Sequence, residues 1–170
     1  MRMKLLFTMD AGNYTEDMPL VERHGIRAMI RRGKLWAMQF AEGEEYKIPG
    51  GGKEGTETDL ETLKREVLEE TGLTVIEASV REIGEVLEKR RDAFNASQRY
   101  IAHSRFYACE VEEGQSELAL TPSEIAKGYH PVWVDLDTAI AYNERIPREQ
   151  YVQRDTRFLR WLREHEEEYL

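Results

Sequence analysis

The sequence predicts an α+β fold, a mixed sheet with one helix inserted among its strands and another closing the chain. Three observations carry this. Apolar runs of strand length recur along the chain, separated by turn residues. Two longer segments, 58–72 and about 154–168, place apolar residues at helical spacing. The order, strands, helix, strands, helix, differs from the alternation of repeated βαβ units.

At 170 residues the chain has room for one domain with a substantial core, and residues 1–170 are read as a single domain. Hydrophobic residues at 41% and charged residues at 34% describe a globular chain with a heavily charged surface. No apolar run is long enough to span a bilayer, and the N-terminal "LLFTM" is too short for a signal segment. The single cysteine, Cys109, excludes an intramolecular disulfide and fits a reducing cytoplasm; its surroundings, "HSRFYACEV", read as a buried strand. A net charge of -9 makes nucleic acid an unlikely partner, because basic patches supply most of that affinity. An acidic protein still binds polyphosphates where divalent cations stand between the two sets of negative charge.

"LLFTM" reads as a first strand or ordered lead-in. "HGIRAMIRRGKLWAMQF", from His24 to Phe40, reads as a hairpin turning at Gly33. "PGGGKEG" follows as a loop. The helix after it is well punctuated: Thr58 and Glu61 form a capping box and Gly72 stands where a left-handed residue ends a helix. Leu60, Leu63 and Val67 fall within roughly 60° of one another, giving one buried stripe, while Glu66, Glu69 and Glu70 share a neighbouring arc of about 100°. "LTVIEASVREIGEVLE" and "QRYIAHSRFYACEVEE" read as two long strands joined by "KRRDAFNAS". "LTPSE" opens a turn or short helix, "HPVWVDL" a strand, and "DTAIAYNE" a short helix started by Asp137. Phe158, Trp161 and Leu162, at i, i+3 and i+4, give the closing helix its apolar face.

The glutamates of the first long helix carry the chemistry. Glu66 and Glu70 are a like-charged i, i+4 pair, which costs a helix a few tenths of a kcal/mol. The same spacing is useful if a hard divalent cation sits between them, since Mg²⁺ takes oxygen ligands from carboxylates and substrate phosphates. Taken alone, "EVLEE" is better explained as a solvated charged face.

The flanking residues change that assessment. Gly51, Glu57, Arg65, Glu66, Val67, Glu69, Glu70, Gly72 and Leu73 meet every specified position of the pattern G-x5-E-x7-R-E-U-x-E-E-x-G-U, with U aliphatic. This segment, 51–73, resembles the Nudix box, and the strand and helix order around it is similar to the Nudix fold, a mixed sheet sandwiched between helices (α/β/α) with a catalytic loop-helix-loop. One departure is Thr56, where many members have glycine; Gly55 beside it can relax the loop.

The resemblance implies a MutT-like hydrolase of a nucleoside diphosphate linked to another moiety. It implies Mg²⁺ or Mn²⁺ held by Glu66, Glu69 and Glu70, with a backbone carbonyl from Gly50 or Gly51. Glu57 would support the metal site, paired with Arg65. Two carboxylates are candidates for the general base, Glu66 and Glu124; Glu124 also closes a second capping box, Thr121-Pro122-Ser123-Glu124, a structural role that outweighs the catalytic one.

Arg27, Arg31, Arg99 and Arg105, on strands, are candidates to pair with substrate phosphate. Trp36, Tyr46, Phe106, Tyr129 and Trp133 could stack on a base, although core or ordinary surface explains each of them better. His103 and His130 lack a partner motif or metal-ligand spacing. The elements that mark ADP-ribose, NADH and coenzyme A cleaving members are absent, which leaves nucleoside triphosphates or related small pyrophosphates as substrate. The alternatives are a noncatalytic nucleotide sensor built on the same fold and an RNA-decapping type enzyme. A homodimer, through the Trp161 helix or the N-terminal strand, is a further expectation by analogy.

Overall fold

Alternation along the hairpin sets the layering of the molecule. The computed structural model describes residues 2–146 and 150–169. In it β2 (Leu20–Arg32) and β3 (Leu35–Phe40) form the hairpin expected around Gly33. Side chains on a strand alternate between faces. Ile26, Ala28 and Ile30 therefore join one buried cluster, and Met29 joins another on the opposite face.

Around this hairpin β1 (Leu5–Asp10), β5 (Arg81–Arg91), β6 (Arg99–Cys109) and β7 (His130–Val134) complete the sheet in the order β1-β5-β6-β2-β3-β7, with β4 (Gly50–Gly52) paired to β2. The pairs β1/β5 and β2/β6 are parallel and the rest antiparallel, so the sheet is mixed, as expected.

Each face has its own helices. Helix α1 (Asp59–Thr71) lays Leu63 and Val67 against Ile26, Ala28, Ile30 and Ala37. On the other face α3 (Leu136–Glu144) and α4 (Gln150–Glu164) contribute Ala139, Ile140, Phe158, Leu159 and Leu162, and Phe158 stacks on Phe106 of β6 with ring centroids 3.6 Å apart. A short helix, α2 (Pro122–Lys127), follows the capping box at Thr121. Among the described residues no helix is long and apolar enough to cross a membrane.

Five expectations are corrected, the first being that β5 runs on through Arg91 where a loop is expected from Lys89. The glycines of "PGGGKEG" are not all loop: Gly50–Gly52 pair with Gly25–Arg27, because a sheet edge accepts a short glycine segment that lies close to a neighbouring backbone. The strand expected from Leu73 to Glu88 is broken by a 3-10 turn at Glu77–Ser79, leaving Val75 in a single bridge to Val111. Helix α3 is capped by Asp135, whose carboxylate accepts the Thr138 N–H at 2.9 Å, so Asp137 lies inside its first turn. The closing helix starts earlier than expected, at Gln150, and a 3-10 turn at Glu166–Tyr169 follows it.

Candidate active site

Local rules place α1. Thr58 Oγ1 accepts the Glu61 N–H at 3.2 Å and the Glu61 carboxylate accepts the Thr58 N–H at 2.7 Å, while Gly72 closes the helix at φ 72°. With Leu63 and Val67 turned to the sheet, Glu66 and Glu70 come to lie beside β4. The Gly50 N–H donates to Glu70 Oε2 at 2.8 Å. A β-carbon on Gly51 would lie 2.4 Å from Glu66 Oε1, and one on Gly50, at φ 150°, would lie 2.0 Å from the Ile26 carbonyl oxygen. Glycine is therefore what lets this backbone meet both carboxylates.

Arg65 locks the arrangement from the rear. Its Nε donates to Glu57 Oε1 at 2.6 Å and its Nη2 to Glu57 Oε2 at 3.0 Å, a two-pronged pair that suits guanidinium and carboxylate geometry. The Nη1 reaches Glu66 Oε1 at 2.8 Å and Glu69 Oε2 at 3.4 Å, and Nη2 also donates to the Gly52 carbonyl at 3.1 Å. Glu57 further accepts from Thr62 Oγ1 at 2.8 Å and the Glu54 N–H at 3.0 Å. One arginine thus ties loop, strand and helix together.

The two helix glutamates and Glu57 are shifted in opposite directions. Burial, with Glu66 and Glu124 nearby, pushes the Glu70 carboxyl up to about 8 against the hydrogen bond from Gly50. Burial also raises Glu66, although Arg65 partly opposes it. Glu57 goes the other way, held at about 2 chiefly by its hydrogen bond from Arg65. A cation between Glu66 and Glu70 would offset the burial that raises both groups.

These groups open onto a cleft of ≈ 900 Å³ lined by Glu66, Glu70, Glu57, Gly50–Gly52, Arg23, Lys47, Lys53 and Glu124. Glu124 reaches the cleft while closing its capping box: Oε1 accepts from the Thr121 N–H at 3.0 Å, and Oε2 accepts from Gln39 Nε2 at 3.0 Å with Lys47 Nζ at 3.6 Å. Burial acts to raise its pKa, but the hydrogen bonds from Thr121 and Gln39, with Lys47, outweigh burial and lower it.

Comparison with known proteins agrees with this fold. A family model, the NUDIX domain, matches residues 21–162. The chain belongs to the NUDIX hydrolase family. Among solved structures it is similar to a NUDIX hydrolase from Nitrosomonas europaea, at 20% identity and TM-score 0.55, with 79% of this chain and 85% of that one covered. It is also similar to a MutT NUDIX hydrolase from Burkholderia pseudomallei, at 17% identity and TM-score 0.53, with 81% and 97% covered. At these identities the structural likenesses establish the fold. No curated protein matches by sequence.

The Nudix box residues fit a divalent metal by the chemistry of their donors. Carboxylate and backbone carbonyl oxygens form the hard set that Mg²⁺ and Mn²⁺ take. Glu66 and Glu70 line the cleft with Gly50 and Gly51, and the space beside Glu66 is one that a β-carbon would fill. Glu69 is not among the residues that line the cleft; its side chain is 39% exposed and turned to Arg65. Among the described residues, the trio of potential donors gathered within 4.8 Å is Glu22, His24 and His103 rather than the helix glutamates. His103, set aside from the sequence, stacks on His24 there with centroids 4.5 Å apart.

The other candidate residues scatter. Arg27 stands at the site, donating to the Gly50 carbonyl at 3.2 Å. Arg31 is engaged at the hairpin end with the Gly33 and Tyr169 carbonyls, and Arg99 with Glu16 and the Met18 carbonyl. Arg105 pairs with Asp59 and Glu85 on the α1 face, where Asp59 also accepts from Tyr107 and Lys53. Of the aromatic candidates, Trp36 and Phe106 are fully buried, Tyr46 stacks on Phe40, Lys47 lies over Tyr129, and Arg32 lies over Trp133. Cys109 is buried as expected, its thiol pushed up to about 12 by burial. His130 is exposed. Arg23, Lys47 and Lys53 were not picked out from the sequence; the pairing of β4 with β2 and the bridge of Lys47 to Gln39, which accompany their place at the cleft, have no local signal.

Proposed function

We propose that this Nudix protein is a Mg²⁺- or Mn²⁺-dependent pyrophosphohydrolase that cleaves a phosphoanhydride in a nucleoside triphosphate or related small pyrophosphate, acting as one domain in the cytoplasm. The observation that carries this reading is the joint approach of Glu66 and Glu70 to the Gly50–Gly51 backbone in an open cleft, with Arg65 fixed on Glu57 behind them.

The bound metal would neutralise phosphate charge and make a coordinated water more acidic. The protein's own part is positional. Glu66, Glu70 and the Gly50–Gly51 backbone would present the oxygen donors, with Glu69, now paired with Arg65, as a further one; Arg65 and Glu57 hold α1 against the loop. The water oxygen joins phosphorus, the bond to the bridging oxygen breaks, and a carboxylate takes the water's proton. Glu66, whose basicity burial raises, is the better acceptor. Both oxygens of Glu124 already accept hydrogen bonds, which suits it to positioning the cleft wall.

The test is turnover by Glu66→Gln and Glu70→Gln variants against nucleoside triphosphates, sugar nucleotides, dinucleoside polyphosphates and ADP-ribose with added Mg²⁺. Metal-dependent release of phosphate or pyrophosphate should disappear in both while the fold is kept. Undiminished turnover in both variants overturns the assignment, and tight nucleotide binding by the wild type without any product supports a sensor instead.

A further inference from the structure

The sheet face opposite α1 holds a second cavity, of ≈ 680 Å³. Three small residues, Gly25 on β2 with Ala102 and Ser104 on β6, leave a trough in its floor; Gly25 and Ser104 are paired in register. The lining is cationic in a protein whose net charge is -9: Arg23, Arg27, Arg90, Arg91, Arg154 and Lys47 all reach it.

Two of these charges are balanced within the protein. Arg154 lies buried between Glu88 at 3.1 Å and Asp155 at 2.7 Å, and Lys47 stands 3.6 Å from Glu124. The other four are not. Arg27 donates to the Gly50 carbonyl, and its buried Nε has no hydrogen-bond partner among the described residues. Arg90 lies over the Tyr100 ring at 4.3 Å and donates to a backbone carbonyl, and Arg91 donates to the carbonyls of Asn13 and Ala96. Asp92, also in the lining, accepts from the Phe94 N–H and Gln98. Among the described residues, none of Arg23, Arg27, Arg90 or Arg91 has a carboxylate within ion-pair distance. The lining sets Arg23, Arg27, Arg90, Arg91, Arg154 and Lys47 against Glu88, Asp92 and Asp155, so it keeps an excess of cationic groups that an entering anion would offset.

The cavity and the metal cleft share Arg23 and Lys47 in their linings, and Arg27 of the cavity bonds to Gly50 of the cleft. It offers little to a nucleobase: apart from His103, its one aromatic ring is Tyr100, whose face Arg90 covers. We propose that the cavity is a phosphate subsite. The group attached to the scissile pyrophosphate then carries at least one further phosphate, held by Arg23, Arg27, Arg90 and Arg91, and the substrate is a pyrophosphate with a second anionic centre rather than one selected by base stacking. This rests on the pyrophosphohydrolase reading for the cleft, while the cavity's affinity for anions does not.

Calorimetric titration in EDTA, where the metal site contributes nothing, tests the subsite with inorganic tripolyphosphate and adenosine as probes. Tripolyphosphate should bind saturably and adenosine should not. Arg90→Gln and Arg23→Gln, both at solvent-accessible positions, should each weaken tripolyphosphate at least tenfold, and Arg90→Lys should recover most of that loss. Thermal melts of each variant separate lost binding from lost fold. Absence of tripolyphosphate binding, equal affinity for adenosine, or affinity unchanged in both glutamine variants overturns the proposal. A protein that binds tripolyphosphate in EDTA but shows no metal-dependent turnover would keep the subsite and discard the hydrolase reading; turnover without such binding would do the reverse.

Discussion

Replacing Gly51 with alanine separates the site from the fold. The added β-carbon would sit 2.4 Å from Glu66 Oε1, whereas ordinary contact begins near 3.4 Å, so the carboxylate must retreat by about 1 Å. A side-chain end can make that move at small cost, and the expected loss of stability is under about 1 kcal/mol, within the range of mild substitutions. The chemistry is less tolerant. Misplacing a reacting constellation by about 1 Å costs on the order of 100-fold in rate, or about 2.7 kcal/mol of barrier. Gly50→Ala is the contrast, because its β-carbon would meet the Ile26 backbone at 2.0 Å in a conformation, φ 150°, that side chains rarely adopt. That variant should lose stability by at least about 2 kcal/mol as well as activity. Initial rates of phosphate release, paired with chemical denaturation, distinguish the two. A Gly51→Ala enzyme within threefold of wild-type activity would refute the claim that Glu66 must stand against this backbone.

Other consequences can be checked in parallel. Arg65→Lys keeps the charge but loses the fork to Glu57 and the bond to Gly52, so metal affinity should fall about 10- to 100-fold, read by Mn²⁺ titration. The Glu70 carboxyl, raised to about 8, must lose its proton to hold a cation; metal affinity should climb with pH toward about 8, with proton release visible by calorimetry in buffers of different ionisation enthalpy. For metal-free protein the sign is the opposite: a raised carboxyl stabilises the fold fully below its ordinary value of 4.5, and that contribution fades as pH rises through about 8, as thermal melts in EDTA should show. Arg154→Met leaves Glu88 and Asp155 buried without their cation and should cost about 3–5 kcal/mol in denaturant unfolding; an unchanged midpoint would contradict the buried trio.

What could be read from the sequence was whatever is written in short-range spacing. The capping box at Thr58 and Glu61, the Gly72 stop and the buried pair Leu63 and Val67 depend on neighbours within one or two turns, and the structure has all of them. Glu57 and Arg65 were named together only through the family pattern, since their bond closes over eight residues of loop and helix. The α3 start shows the limit of local reading: Asp135 and Asp137 are both acceptable caps, and it is Asp135 whose carboxylate accepts the Thr138 N–H.

Long-range pairing was not legible. "PGGG" reads as loop because glycine favours no regular element, yet the same absence of side chains lets Gly50–Gly52 add to β2 and carry the Gly50 N–H to Glu70. The four strand arginines looked equivalent in the sequence, each in a strand of mixed pattern. Position along the sheet separates them: Arg27 is carried beside Gly50, Arg31 and Arg99 sit at strand ends, and Arg105 faces α1. Arg90 fell in a segment read as loop and belongs instead to β5, paired in register with Tyr100. Extending β5 by three residues turns that arginine from a solvated loop charge into part of a cavity wall. Chemistry held within one helix could therefore be read directly, whereas the groups that would choose the substrate became visible only once strand register placed them together.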